Sequence, residues 1–287
     1  MLVFDGGRLH DASGHEVAWP GLAVLGDPVA HSLSPRLHTA ALRARGLDHD
    51  YAAIRVGTED LATCLVTAAE HGVLGLNLTV PHKEHGLALC AQVSDEAREI
   101  GAANTLVRRR DRWHAHNTDA RGLALALQSW RGRRLARSLD QVVVIGSGGA
   151  ARSAVVCARA LGSRRIRVLA RRPERATWAT AMGAVAEALP ERIPTTATLV
   201  LQCTPLGLDP ELDPSPLSLD GLASTAIVVD LTYADRPSAF LRQAIGRGVD
   251  AIDGRRMLVA QAALAFSMWF GAQPPLTAMG EVLGLEF

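Results

Sequence analysis

The chain has 287 residues and a formal net charge of +1, with 48% apolar and 21% charged side chains. That balance is the composition of a folded protein of one large or two medium domains; it excludes a disordered tail, a fibre and a globally basic partner for nucleic acid. Within it, 29 of the 30 basic residues are arginine and one, Lys83, is lysine.

In chain order, residues 1–20 carry turn formers and no clear period, and read as an irregular N-terminal extension. LAVLG (22–26) reads as a strand, and Ser34-Pro35 as a helix start with a capping hydroxyl followed by proline. DYAAIRV (50–56) is a strand, TEDLATCLVTAAEHG (58–72) a helix closed by Gly72, and VLGLNLT (73–79) a strand entering a turn at Pro81. This alternation predicts an α/β parallel sheet. NTLVRR (104–109) and RWHAHN (112–117) predict a hairpin around Asp111, followed by a helix from Asp119 to about Trp130. RGRRLARSLD (131–140) reads as a linker or surface turn. From Gln141 a second α/β series begins.

The expected organisation is therefore two α/β domains: residues 1–119, then a doubly wound domain over 120–256, with helices in 257–287. Met257 to Gly280 has no charged side chain, but Gln261, Gln273 and Pro274-Pro275 interrupt it, which predicts a buried helix rather than a membrane span. Cys64, Cys90, Cys157 and Cys203 form neither a C-x-x-C pair nor a zinc-ligand spacing, so free thiols in a reducing compartment and no metal are expected. MLVFDGGRLH lacks the pattern of a secretory signal, and a cytoplasmic location is expected.

VVVIGSGGAARSAV (142–155) runs from an apolar strand into a glycine-rich turn and a helix, with Gly146, Gly148 and Ala151 at the three positions of G-x-G-x-x-G/A. Glycines there permit a tight turn and close backbone approach to a pyrophosphate, which the helix N-terminus attracts. Gly146, Ser147, Gly148, Gly149 and Ala150 are the candidate dinucleotide loop. An NAD site places a carboxylate at the end of the next strand. Here RIRVLA ends at Ala170 and is followed by Arg171, Arg172 and Arg175, a set suited to a 2′-phosphate. NADP is the expected cofactor.

The first half gathers polar residues at strand ends: HSLSP (31–35), NLTVPHK (77–83), GAANT (101–105) and NTD (117–119). Taken singly, Ser34 and Asp119 read as helix caps, Thr79 and Thr105 as strand-end residues, and Asn104 and Asn117 as turn residues. Together, hydroxyls, amides, one ammonium and one carboxylate suit a small polyhydroxylated acid. A guanidinium does not give up its proton in proteins, whereas an ammonium can be tuned to do so, which makes Lys83 with Asp119 the candidate proton-relay pair.

At these residues the sequence resembles the shikimate dehydrogenase family over about residues 21–287. HSLSPRLH, NLTVPHK, GAANT, NTDARG, GSGGAARS and MLVAQAALAFSMWFG resemble the family's ordered motifs. The resemblance implies two domains with a catalytic cleft between them, and NADP-dependent reduction of 3-dehydroshikimate to shikimate in aromatic amino-acid biosynthesis. It implies that Ser32 and Ser34 bind the substrate carboxylate, that Thr79, Asn104 and Gln261 hold the ring hydroxyls, and that Lys83 and Asp119 are catalytic. It also implies that Tyr233 and Met257 lie near the nicotinamide, Tyr233 as a further substrate-binding residue, and that the C-terminal helix packs back on the first domain. A small-molecule substrate, no nucleic acid or membrane partner, and a monomer or homodimer are expected.

The sequence departs from the family pattern at Thr39, Ala115, Ala170-Arg171-Arg172 and Gln202. The alternatives are a quinate or quinate/shikimate dehydrogenase using NAD or both cofactors, a catalytically silent NADP sensor, and a methylene-tetrahydrofolate dehydrogenase of similar plan. Intact Lys83 and Asp119 oppose the second, and the Ser-x-Ser-Pro and Asn-Thr-Asp motifs oppose the third.

Overall fold

The computed structural model describes residues 1–131 and 139–286, so the expected linker over 131–140 falls largely outside the described residues. The chain divides into two compact units, residues 1–118 with 259–287, and residues 119–258.

The first unit carries β1 (Leu2–Asp5), β2 (Arg8–His10), β3 (Leu22–Gly26), α1 (Ser34–Ala44), β4 (Tyr51–Val56), α2 (Leu61–Glu70), β5 (Gly75–Leu78), α3 (His82–Ala88), β6 (Gln92–Val93), α4 (Asp95–Ile100), β7 (Thr105–Arg109) and β8 (Arg112–His116). The strands form one sheet in the order β2-β1-β4-β3-β5-β7-β8-β6. Every residue of β3 is buried, as expected of a short apolar run at the centre of a covered sheet. β4 and β5 flank it in parallel register. The sheet is nevertheless mixed, which corrects the expected parallel one: β7 pairs antiparallel with β5 and with β8 because the hairpin turns the chain back along the sheet.

Residues 1–20 are not an irregular extension. β1 and β2 form a hairpin, and β1 pairs in parallel with β4. Gly6 and Gly7 both have positive φ, the conformation that a two-residue hairpin turn of primed type requires. Phe4 and Leu9 are buried in the same core as Leu25, Ile54, Leu61, Leu76, Leu106 and Trp113. Strands of four and three residues are too short to print a period on the sequence. Their turn-forming neighbours mask them.

The second unit begins with α5 (Asp119–Arg131) and continues through β9 (Gln141–Ile145), α6 (Gly149–Ala160), β10 (Arg165–Ala170), α7 (Trp178–Ala181), β11 (Val185–Ala188), β12 (Leu199–Gln202), β13 (Ile227–Asp230), α8 (Ala239–Gly246) and β14 (Asp250–Ile252). Its sheet has the order β11-β10-β9-β12-β13-β14, with every pairing parallel. Counted from β9 this is 3-2-1-4-5-6, the doubly wound order that binds dinucleotides at the carboxyl ends of its strands. Val143, Ile145, Leu169, Val200, Val228 and Phe240 form a core on one side.

α9 (Arg255–Phe270) and α10 (Leu276–Glu281) complete the chain. From Val259 onward α9 belongs to the first unit, where Gln261, Phe266 and Trp269 are buried. No helix among the described residues is long and apolar enough to cross a membrane.

Candidate active site

In the first unit the site grows from the carboxyl ends of β3 and β5. The Thr79 N–H donates to the Leu25 carbonyl at 2.9 Å. A Cβ at Gly26 would overlap the Thr79 methyl, so glycine at the end of β3 is what admits this close crossing. The chain then turns through the cis Val80–Pro81 bond into α3. His82, fully buried, sets its Nε2 2.9 Å from the Val56 carbonyl. Burial holds its pKa below the ordinary histidine value, against the opposing pull of that hydrogen bond. Lys83 follows, half-buried, and its carbonyl accepts from the Ala103 N–H at 2.8 Å. The lysine backbone is thereby tied to the GAANT segment.

Asn77 and Asn104 organise the rest. Asn77 Nδ2 donates to the Asn104 carbonyl (3.0 Å) and to Thr105 Oγ1 (3.1 Å). Thr105 Oγ1 donates onward to Asn104 Oδ1 at 3.0 Å, and the Thr118 N–H donates to the same oxygen at 2.8 Å. Asn104 Nδ2 donates to Gln261 Oε1 at 3.3 Å, which brings α9 to the strand ends. Asn117 Nδ2 donates to the Ala102 carbonyl at 2.9 Å. All six polar side chains are buried. A buried network of this kind must satisfy its members, and these bonds do so while fixing which face of each amide donates.

Ser32 and Ser34 are joined, with the Ser34 N–H donating to Ser32 Oγ at 3.3 Å. The expected Ser34 cap is corrected here: Leu33 occupies the N-cap position without a side-chain bond, and Ser34 is the first helical residue. It is the Ser32 hydroxyl that turns back onto the helix start. Asp119 is buried and opens α5, directly after the Thr118 that Asn104 holds.

A supporting cluster escaped sequence reading. The His38 ring stacks on Tyr51 with centroids 4.4 Å apart, and Trp269 lies 5.0 Å from it. Tyr51 Oη donates to Asn77 Oδ1 at 2.7 Å. Burial pushes the His38 imidazole down to about 3, so it is neutral. The available signal is a histidine on the inner face of α1, among Leu37, Ala41 and Leu42.

In the second unit, Gly146 leaves β9 with φ +122°. A Cβ there would press on the Cys203 backbone at 3.3 Å. Gly148 is the N-cap of α6, no side chain caps that helix, and a Cβ at Gly148 would meet no atom within 4 Å. The first-turn N–H groups of Gly149 and Ala150 therefore face an open approach. Ser147 between the glycines is half-buried. Arg171, Arg172 and Arg175 follow β10, and among the described residues none forms an ion pair with a carboxylate. Three donor-rich guanidinium groups with no acidic residue at the strand end fit NADP.

Tyr233 lines a pocket of about 130 Å³ with Thr232, Asp235, Arg236, Asp253 and Arg255. Met257 is half-buried in α9. The same loop rests on Asp230, a buried carboxylate that accepts from Ser238 Oγ (2.6 Å) and Thr232 Oγ1 (2.8 Å). Burial raises its pKa, and those hydrogen bonds only partly offset the rise. Gln202, a departure from the family pattern, donates to the Leu206 carbonyl at 2.6 Å and accepts from the Thr204 N–H at 2.5 Å, so the longer side chain closes the loop after β12 on itself.

An all-parallel doubly wound unit with a glycine-rich turn, and an α/β unit whose strand ends carry amides, hydroxyls and one lysine, define an oxidoreductase of the two-domain dinucleotide-dependent class. The family model described as "Shikimate dehydrogenase substrate binding domain" matches residues 24–106, and "Shikimate 5'-dehydrogenase C-terminal domain" matches residues 254–283. A shikimate dehydrogenase (NADP(+)) of Microcystis aeruginosa is 37% identical, covering 93% of this chain and 96% of that protein. The crystal structure of shikimate 5-dehydrogenase from Thermus thermophilus, in complex with NADP(H) and shikimate, superposes with a TM-score of 0.82 at 37% identity, covering 91% and 97% of the two chains. Quinate dehydrogenase from Corynebacterium glutamicum, in complex with NAD, gives a TM-score of 0.80 at 27% identity, covering 91% and 97%. The chain belongs to the shikimate dehydrogenase family.

Proposed function

We propose that the protein is a cytoplasmic, NADP-dependent shikimate dehydrogenase that interconverts 3-dehydroshikimate and shikimate in aromatic amino-acid biosynthesis. The observation that carries this reading is the buried Asn77–Asn104–Thr105–Thr118–Gln261 network at the strand ends that also position Lys83. Such a set of fixed donors and acceptors suits a ring bearing several hydroxyls. The four free cysteines suit a reducing compartment.

Ser32 and Ser34 take the carboxylate of the substrate, and Thr79, Asn104 and Gln261 take its hydroxyls. Gly146 to Ala150 hold the pyrophosphate of the cofactor, Arg171, Arg172 and Arg175 its 2′-phosphate, and Tyr233 and Met257 lie at its nicotinamide end. When bound, NADPH supplies a hydride to the carbonyl carbon. Lys83 gives a proton to the carbonyl oxygen as negative charge builds there, and Asp119 orients the ammonium and accepts from the hydroxyl that forms. In the oxidative direction Lys83 takes the proton back. Arginine at position 83 would keep the charge but not the proton transfer.

The competing reading is quinate oxidation with NAD. The arginines after β10, with no carboxylate at the strand end, favour NADP. Assaying 3-dehydroshikimate, shikimate and quinate with both cofactors tests the choice. The reading requires the highest kcat/KM for the shikimate pair with NADP; a preference for quinate with NAD overturns it.

A further inference from the structure

We infer that Trp178 is a positioning residue that locks the two phosphate-binding parts of the dinucleotide site at a fixed spacing, and that it contributes to the preference for NADP over NAD. This rests on the proposed cofactor role of the second unit. The two parts are built on different strands. The glycine-rich turn follows β9, while Arg171, Arg172 and Arg175 follow β10 on a tight turn over Pro173–Ala176. Trp178 comes three residues after Arg175, at the start of the single-turn α7. Its indole Nε1–H donates to the Ser147 carbonyl, inside the glycine-rich turn, at 3.2 Å. The Arg152 guanidinium, from the first turn of α6, stacks over the same indole with 5.2 Å between Cζ and the ring centroid. One side chain thus touches the glycine turn and the helix behind it, and its backbone continues the arginine turn.

Ser147 presents a carbonyl where the loop otherwise offers N–H donors. Tying that carbonyl back to the indole keeps it turned away from the face on which the first-turn N–H groups of α6 lie. A ligand that bonds both parts gains from their fixed spacing, because no ordering cost remains at binding. NADP bonds both, through its pyrophosphate and its 2′-phosphate. NAD lacks the 2′-phosphate and draws on the glycine turn alone. Loosening the tie therefore weakens NADP more than NAD.

Trp178→Phe removes the N–H donor and keeps a ring under Arg152; Trp178→Leu removes the donor and the ring together. Calorimetric titration of the purified protein with NADP and with NAD, for wild type and both variants, reads the effect. The expected result is an NADP Kd raised about 3- to 10-fold, the range for one lost hydrogen bond plus loop ordering. The NAD Kd should rise by less than half as much, and the shikimate KM at saturating NADP should be unchanged. Equal weakening of both cofactors, or no change in either variant, overturns the inference. A wild-type protein that binds neither dinucleotide instead overturns the proposed cofactor itself, so the two failures are distinguishable.

Discussion

The Tyr51 hydroxyl donates to Asn77 Oδ1 at 2.7 Å, and that single bond fixes the direction of a whole amide chain. With Oδ1 engaged, Asn77 Nδ2 faces Thr105 and the Asn104 carbonyl, Thr105 donates to Asn104 Oδ1, and Asn104 Nδ2 donates to Gln261. Tyr51→Phe keeps the ring and its stack on His38 but leaves a buried carbonyl oxygen without its donor. The cost to stability is about 1–3 kcal/mol. Because Asn104 and Gln261 are the proposed hydroxyl-binding groups, the shikimate KM should rise several-fold while the NADP KM holds. Steady-state kinetics with each substrate varied in turn checks this split.

His38 contributes to how the protein tolerates acid. Its ring is buried between Tyr51 and Trp269, neither ring nitrogen has a hydrogen-bond partner among the described residues, and its pKa is lowered from 6.5 to about 3. The unfolded chain therefore binds a proton below pH 6.5 that the folded chain refuses until about pH 3. Stability from this group is complete above 6.5 and falls by about 1.4 kcal/mol per pH unit below it. His38→Phe removes that slope while keeping a planar ring in the stack. Denaturant unfolding should show the variant gaining about 2 kcal/mol on wild type between about pH 8 and about pH 5. His82 and His116, also held low by burial, act alike in both proteins and cancel.

A glycine makes room for the aromatic end of α9. A Cβ at Gly75 would overlap the Trp269 indole, whose N–H donates to the Leu106 carbonyl at 3.0 Å. The ring is rigid and enclosed, so Gly75→Ala forces it outward and costs about 1–3 kcal/mol. Gly75→Ala combined with Trp269→Phe should lose less than the sum of the single changes, and a double-mutant cycle by thermal unfolding reads that coupling.

The proposed 2′-phosphate role of Arg171, Arg172 and Arg175 predicts how the cofactor preference responds to substitution. Replacing Arg172 with Asp places a carboxylate two residues after Ala170, near where NAD sites carry one, and removes a guanidinium from the 2′-phosphate set. NADP affinity should fall by about tenfold or more, and the NADP-to-NAD ratio should fall with it. Binding titrations with both dinucleotides measure the ratio.

The doubly wound unit is legible in the sequence because its signals are local: an apolar strand, the glycines at 146 and 148, and a helix follow one another directly. Composition singles out Lys83 as the one residue of its type. Asn104 and Gln261 lie 157 residues apart, and no period in the sequence states that α9 returns to meet Asn104. The first hairpin is hidden because its strands are too short to alternate visibly. Tyr51 and His38 are hidden because an aromatic residue in a strand and a histidine on an apolar helix face both read as ordinary core. Their meaning comes from the stack and from the hydroxyl's reach to Asn77, which only the fold creates. Ser34 misleads for the opposite reason, as its residue type matches a cap while Ser32, two residues earlier, makes the bond.

Lys83 as the proton donor is the central step of the proposed mechanism. NADPH oxidation with 3-dehydroshikimate, measured for wild type and for Lys83→Ala with both substrates varied, tests it most directly. The expected result is robust wild-type turnover, a loss of about 10²-fold or more in kcat for the variant, and a substrate KM changed only a few-fold. Near-wild-type turnover by Lys83→Ala, or no turnover of 3-dehydroshikimate by the wild-type protein, would contradict it.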